Sequence, residues 1–516
     1  MFTRQHALGH PDQAAIIMEP SGETVSFGQY EAHCNQVAHF LRAAGMQRGD
    51  HISVFMENSR QLLELEGGAE RTGLYYTLIN SYLAPDEVAH IVTNSRSRLL
   101  FSSAARRQVA EAAAAQCPQL ERRVMTGPDA PPPDWEPYED AVAGYPGDPV
   151  PDESLGAAML YSSGTTGQPK GVLRDLPTVA PSQSLPVMDF VGAMFGFRPG
   201  MIYLNPAPLY HSAPQASVAA ALRLGATTVV MEHFDAEQWL AIVERYRVTN
   251  CQMVPVMFSR LLRLPEEVRA RYDTSSLECI VHAAAPCPVH VKRALIDWLG
   301  PIVTEYYGAT EANGFTFCDS AQWLAHPGTV GRPILGDLLI LDGGGNECPT
   351  GVDGTIWFRG ATAFQYFQDP VKTAESRSRD GLASSVGDVG HVDAEGYLYL
   401  TDRQSYMIIS GGVNIYPQET ENLLSGHPAV LDVAVIGVPN EDLGEEVKAV
   451  VQLVDPAGAG AELADELITY CRDRLTHFKC PRTIDFVPEL PRSATGKLYK
   501  RLLRDKYWAG HQTSIV

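Results

Sequence analysis

The stretch TVSFGQYEAHCNQVAHFLRAAGMQRGDHISVFM, residues 24–56, decides the fold class. TVSF is short and strand-like, the run after it places Val37, Phe40 and Leu41 on one helical face, Arg48, Gly49 and Asp50 form a turn, and HISVFM returns to strand. Ser26 with Gln29 three residues later predicts a capping box at the helix start. A second unit follows, with a buried strand at 75–79, a helix opened by Pro85 over DEVAHIV, and a strand in RLLFSS at 98–103. This alternation predicts an α/β protein with layered sheets covered by helices.

Outward from there, MIYLNP, TTVVME and CQMVPV read as strands and AEQWLAIVERY as a helix, so the αβ pattern continues through 199–262. Segment 127–153, rich in Pro, Gly and acidic residues, reads as surface connection. After Arg403 the scale changes. MIISGG, a short helix in PQETENLLSG, strands VLDVAVIGV and VKAVVQLV, helix AELADELITYCRDRL and a final strand RTIDFV predict a small α+β unit of about one hundred residues, enough for its own core. The expected division is an N-terminal domain 1–403, a hinge 404–406 and a C-terminal domain 407–516.

A chain of 516 residues with 45% hydrophobic and 20% charged composition is expected to fold around more than one core. Its formal net charge of -21 opposes association with nucleic acid or an anionic membrane surface. Nine scattered cysteines without a CxxC pair fit reduced thiols rather than a disulfide frame or zinc knot. MFTRQHALGHPDQ has no signal-type apolar stretch, and nowhere do 18 apolar residues run together. The expectation is a cytoplasmic protein with no nucleic-acid partner and no stable membrane insertion.

SSGTTGQPKG at 162–171 suits a polyphosphate. Gly164, Gly167 and Gly171 let backbone N–H groups approach anionic oxygens, Ser162, Ser163, Thr165 and Thr166 add hydroxyl donors, and Lys170 adds a compact charge. The order is not GxxxxGK[ST]: Gly171 follows Lys170, so no hydroxyl stands where magnesium would be ligated. A magnesium ligand has to come from elsewhere in the chain.

Several ordered motifs between about residue 25 and about residue 503 resemble the adenylate-forming superfamily of acyl-CoA synthetases, aryl-CoA ligases, peptide-synthetase adenylation domains and luciferases. They are YSSGTTGQPKGV at 161–172, YYGATE at 306–311, SSVGDVG around Asp388, GYLYLTDR ending at Arg403, ISGGVNIYPQE, and PRSATGKLYK around Lys497. The resemblance implies attack of a carboxylate on the ATP α-phosphate to give an acyl-adenylate, then displacement of AMP by a thiol after a small mobile C-terminal lid has rotated. It implies that the loop with Lys170 closes over the β and γ phosphates, that Tyr307 stacks on adenine, that Thr310 touches the phosphates, and that Glu311 is the missing Mg2+ ligand. Asp388 is implied to accept both ribose hydroxyls, with Arg403 as a further ribose or phosphate contact, and Lys497 to serve adenylation between carboxylate and α-phosphate. His211 in PLYHSAP and the loop HAAAP at 282–286 resemble acyl-pocket motifs; with Met253, Val256, Ala284, Ala285 and Ala309 they imply an apolar cavity. Gly411 is implied to let a pantetheine arm pass, and Lys479, with Arg472 and Arg474, to meet CoA phosphates.

Two positions depart from the family pattern. Ser385 and Val386 stand where many relatives have an aromatic residue and a threonine, and Ser405 stands at the hinge where Asp or Lys is common. The leading expectation is an AMP-forming acyl-CoA synthetase, monomer or homodimer, using ATP, Mg2+ and coenzyme A on a fatty, steroid-side-chain or aromatic acid such as a hydroxycinnamate. A ligase loading a carrier-protein pantetheine, or a non-catalytic acyl or nucleotide binder, are the alternatives.

Overall fold

Helix Phe27–Ala43 begins with a capping box, Ser26 Oγ accepting from the Gln29 N–H at 3.3 Å and Gln29 Oε1 from the Ser26 N–H at 2.9 Å. It packs against helix Arg60–Thr72 at a separation only glycine permits. A Cβ on Gly67 would lie 2.3 Å from Cys34 Sγ, and one on Gly68 2.3 Å from Val37 Cγ1. Close packing on both sides also puts charge inside: Glu64, Glu66, Glu70 and Arg71 of the second helix are all buried. Glu64 is satisfied by Tyr138 Oη, Arg60 Nη1 and His33 Nδ1, each at 2.8 Å, and Arg71 pairs with Glu31. Burial, then the Glu70 charge, pushes the Glu66 carboxyl well above its ordinary range.

The computed structural model describes residues 1–162, 169–183, 186–360, 363–492 and 498–509. One sheet is wholly parallel, in the order Glu136–Pro137, Arg122–Thr126, Leu99–Ser103, His51–Phe55, Tyr75–Leu78, Ala157–Ala158. A larger one has nine strands. Its parallel centre runs Val303–Gly308, Cys279–His282, Asn250–Met253, Ile202–Asn205, Thr227–Met231, Ala14–Glu19, and antiparallel strands close both edges. Helices bury Trp239, Phe258 and Leu261 against this sheet, each such side chain contributing about 1.5–3 kcal/mol.

Two smaller sheets finish the large body. Strand Lys170–Leu173 lies between Leu160–Ser162 and Gln365–Tyr366, while Asp337–Leu341, Gly354–Arg359, Asp388–Val392 and Leu398–Arg403 form an antiparallel layer beside it. Segment 127–153 is more than connection. Its polar composition hides strand Glu136–Pro137 and helix Tyr138–Ala143, which bury Trp135, Tyr138 and Val142.

A short 3-10 turn, Gln404–Tyr406, joins Leu398–Arg403 to a separate mixed sheet built on the long antiparallel strands Val430–Asn440 and Gly444–Leu453, with Thr483–Phe486 added in parallel to the second. Val433, Val435, Val447, Leu467 and Cys471 form its core. A terminal helix, Lys500–Trp508, is absent from the sequence reading because its apolar face is narrow; it adds Leu503 to a second cluster and a buried Lys500–Glu421 pair at 2.8 Å. All nine cysteines are free thiols, and no helix among the described residues is long and apolar enough to cross a membrane.

Candidate active site

Strand Val303–Gly308 sets the geometry because successive side chains leave it on opposite faces, sending Tyr306 one way and Tyr307 the other. On the Tyr307 face, its Oη donates to Asp388 Oδ2 at 2.7 Å, and Arg403 Nε holds Asp388 Oδ1 at 2.8 Å. The pairing follows from register: Asp388 and Arg403 are directly opposed in neighbouring antiparallel strands. Both carboxylate oxygens, the pair expected to take two ribose hydroxyls, are thus engaged by the protein's own donors. Burial and the Asp388 charge hold the Tyr307 phenol above its ordinary range, and Asp388 holds Arg403 in its charged form. The Tyr307 ring stacks on Phe358 with centroids 6.3 Å apart.

Where the same strand ends, Thr310 Oγ1 lies 3.3 Å from Ser212 Oγ, the first residue of helix Ser212–Arg223. Glu311 is buried, at 6% exposure, and its Oε1 accepts from Tyr366 Oη at 2.8 Å. Tyr366 reaches it from the strand paired with Lys170–Leu173, and Lys170 Nζ stands 5.6 Å from the Tyr366 ring centre. Burial, then the Lys372 charge, lower the Lys170 pKa, while Asp369, Glu375 and Glu311 act the other way. Lys170, Tyr366, Glu311, Thr310 and Ser212 therefore make one continuous polar edge beside the Tyr307–Asp388–Arg403 group.

His211 caps helix Ser212–Arg223, with its carbonyl accepting from the Gln215 N–H at 3.1 Å and its ring 4.5 Å from that of Tyr210. Ala284 takes a left-handed φ of 76° at an exposed bend, Ala285 and Ala309 are half-buried, and Met253 is sealed with Trp239 and Phe258 in a core on which Val256 packs. Ser162 pairs with Lys170 across two strands. Ser163, Gly164, Thr165, Thr166, Gly167 and Lys497 lie outside the described residues. Tyr499, two positions past Lys497, hydrogen-bonds Asn80 and stands close enough to Tyr210 to help raise its phenol pKa.

The remaining positions lie in the C-terminal unit. Ser405 occupies the 3-10 turn, and Gly411 turns between strands Ile408–Ser410 and Val413–Ile415 at φ 57° with its N–H on the Leu443 carbonyl at 2.8 Å. Lys479, expected to meet CoA phosphates, is paired with Glu419. The Arg474 guanidinium covers the Tyr470 ring at 4.0 Å.

Tyr366 and Arg174 escape sequence reading. Tyr366 lies in a two-residue strand, too short for periodicity to register. Arg174 follows strand Lys170–Leu173 and is half-buried near Glu311 and Tyr76; burial lowers its pKa, opposed by Glu311. A cation at the end of a phosphate-loop strand was the available signal.

The arrangement joins a buried acid held by two donors, with an aromatic beside it, to a lysine and a second buried carboxylate. The AMP-binding enzyme family matches residues 3–367, and its C-terminal domain matches residues 419–497. The chain belongs to this family. Its members are adenylate-forming enzymes, and this one is an AMP-forming acid–thiol ligase. It is 31% identical to the fatty acid–[acyl-carrier-protein] ligase ScoC of Streptomyces coeruleorubidus, over 98% of this chain and 96% of that one. It is also 31% identical to the feruloyl-CoA synthase of an Amycolatopsis species, over 96% of each. The ATP-bound structure of MatB from Rhodopseudomonas palustris superposes with a TM-score of 0.79 at 27% identity, covering 98% of this chain and 99% of that one.

ATP, Mg2+ and coenzyme A are the reactants and cofactor of this family's ligases. Among the described residues no three His, Cys, Asp or Glu side chains are grouped to hold a metal. Glu311 is a buried carboxylate whose hard oxygen could serve magnesium together with substrate phosphates.

Proposed function

We propose that this chain is an AMP-forming acyl-CoA synthetase for a largely hydrophobic carboxylic acid, fatty, steroid-side-chain or aromatic, and that it works in the cytoplasm as a monomer or homodimer. The observation that carries the reading is the meeting of Lys170, Tyr366 and Glu311 with Tyr307, Asp388 and Arg403 at the end of one strand. In this reading the ribose hydroxyls exchange with Tyr307 and Arg403 on Asp388, and Tyr307 flanks adenine. The 162–171 loop holds the β and γ phosphates, with Lys170 stabilising charge on the departing pyrophosphate. Glu311 would hold magnesium together with the phosphates, and the ion would supply positive charge beside the leaving group.

Lys497, brought by the C-terminal unit 407–516, offsets repulsion between carboxylate and α-phosphate. The acyl group lies beside His211, Ala284, Ala285 and Ala309, backed by Met253 and Val256. Rotation of that unit about 404–406, with Ser405 at its centre, then admits the thiol past Gly411. A serine is adequate there because a hinge requires accessible backbone dihedrals rather than a charge.

The test is incubation of the protein with ATP, magnesium, CoA and a mixed set of fatty, cinnamic, benzoic and steroid acids, with thioesters identified by mass. One dominant acyl-CoA is expected; no AMP and no thioester from any acid would overturn the reading. The Lys479–Glu419 pair, which occupies a cation otherwise free for CoA phosphates, and the likeness to ScoC favour a second acceptor, a carrier-protein pantetheine. Acyl transfer to a phosphopantetheinylated carrier but not to CoA would select it.

A further inference from the structure

The face of strand Val303–Gly308 opposite Tyr307 carries a neutral hydrogen-bonded chain that no step above uses. Ser217 Oγ donates to Gln252 Oε1 at 2.5 Å, and Gln252 Nε2 donates to Tyr306 Oη at 3.0 Å. Ser217 and Gln252 are buried, 3% and 5% exposed, whereas Tyr306 is half-buried. The Tyr306 ring is fixed between Phe195 and Phe315, at centroid distances of 5.7 and 6.0 Å. Its hydroxyl has one partner, Gln252, among the described residues, and a phenol can both donate and accept. Burial pushes its pKa up to about 12, so it stays a neutral phenol. A phenol with spare bonding capacity on a wall of rings is costly to cover with plain hydrocarbon.

The three residues come from the elements that frame the proposed acyl site. Ser217 is on the helix that His211 caps, Gln252 precedes Met253, and Tyr306 precedes Ala309 by three residues. Tyr306 lies two residues inside the end of its strand and Thr310 two residues past it, so an acid activated beside Thr310 can extend its far end toward Tyr306. A para-hydroxylated cinnamic acid or a medium-chain acid hydroxylated at its far end carries such a remote hydroxyl.

We infer that Tyr306, oriented by Gln252 and Ser217, is a specificity-determining residue that hydrogen-bonds a hydroxyl on the acyl group remote from the carboxylate. This rests on the acyl placement given under Proposed function. A hydroxyl, which both gives and accepts, fits the phenol in either orientation of the Gln252 amide.

The experiment compares matched acids, 4-hydroxycinnamic with cinnamic and 10-hydroxydecanoic with decanoic, by kcat/KM for pyrophosphate release. Wild type is expected to favour the hydroxylated member of at least one pair about tenfold, and Tyr306→Phe to bring that ratio close to one. Ser217→Ala, which leaves the Gln252 amide unanchored, is expected to lower the ratio part of the way, and it supplies the comparison if Tyr306→Phe does not fold. A wild-type ratio at or below one in both pairs, or a preference that survives both substitutions, overturns the inference. Absence of pyrophosphate release with every acid would instead overturn the acyl-CoA synthetase reading, so the two failures are distinct.

Discussion

The two faces of strand Val303–Gly308 handle different problems one residue apart. Tyr307 belongs to a charged group with Asp388 and Arg403, and Tyr306 to a neutral chain with Gln252 and Ser217. Charge close to phosphate offsets the repulsion that limits adenylation, whereas charge beside an apolar acyl group would only add a desolvation cost. A single strand separates the two because its side chains alternate. On the proposed assignments, rate and choice of acid fall on opposite sides of one backbone.

That division breaks most sharply on the charged side. Lys497→Ala is expected to slow acyl-adenylate formation about 10²- to 10³-fold while thioester formation from preformed acyl-adenylate falls far less; single-turnover assays of each half-reaction check it, and equal loss in both refutes the role. Asp388→Asn removes a carboxylate that now takes two donors, and is expected to raise KM for ATP about 10- to 100-fold while leaving the order of preference among acids intact. A changed acid preference would show that the faces are not independent. Glu311→Gln should raise the magnesium concentration needed for half-maximal rate about tenfold, read by metal titration.

Acidity sharpens the same contrast. Lys170 acts as a cation, and burial followed by the Lys372 charge lowers its pKa, so its contribution is complete below that pKa and lost as pH rises through it. The rate should therefore fall at a lower pH than an ordinary lysine would dictate, and Lys170→Arg should move the fall upward. The 10-hydroxydecanoic-to-decanoic ratio should stay flat between about pH 6 and pH 9, because burial pushes the Tyr306 phenol up to about 12 and an aliphatic hydroxyl does not ionise in that range.

Much of the charged side was legible in the sequence because its residues fall in short blocks whose order is itself a signal, as in YYGATE and GYLYLTDR. Tyr366 was not, since a two-residue strand has no periodicity. The neutral chain was hidden for another reason: Ser217, Gln252 and Tyr306 are unremarkable singly and meet only when the helix and strands that carry them pack together. Trp135 and Tyr138 were concealed by the prolines and acids around them. The buried acids of helix Arg60–Thr72 run against ordinary patterning: Glu64 takes His33 and Tyr138 from helices 27–43 and 138–143, and Glu70 takes the Met1 amine, partners that no local window spans.

Asp402 sits between the ribose group and the small C-terminal unit. Its Oδ2 accepts from the Gln418 N–H at 2.9 Å, in the first turn of helix Pro417–Leu424, and its chain neighbour Arg403 grips Asp388. The Asp388–Arg403 pair and the first turn of that helix are thus joined through two consecutive residues, with the Gln418 bond alone contributing about 1 kcal/mol.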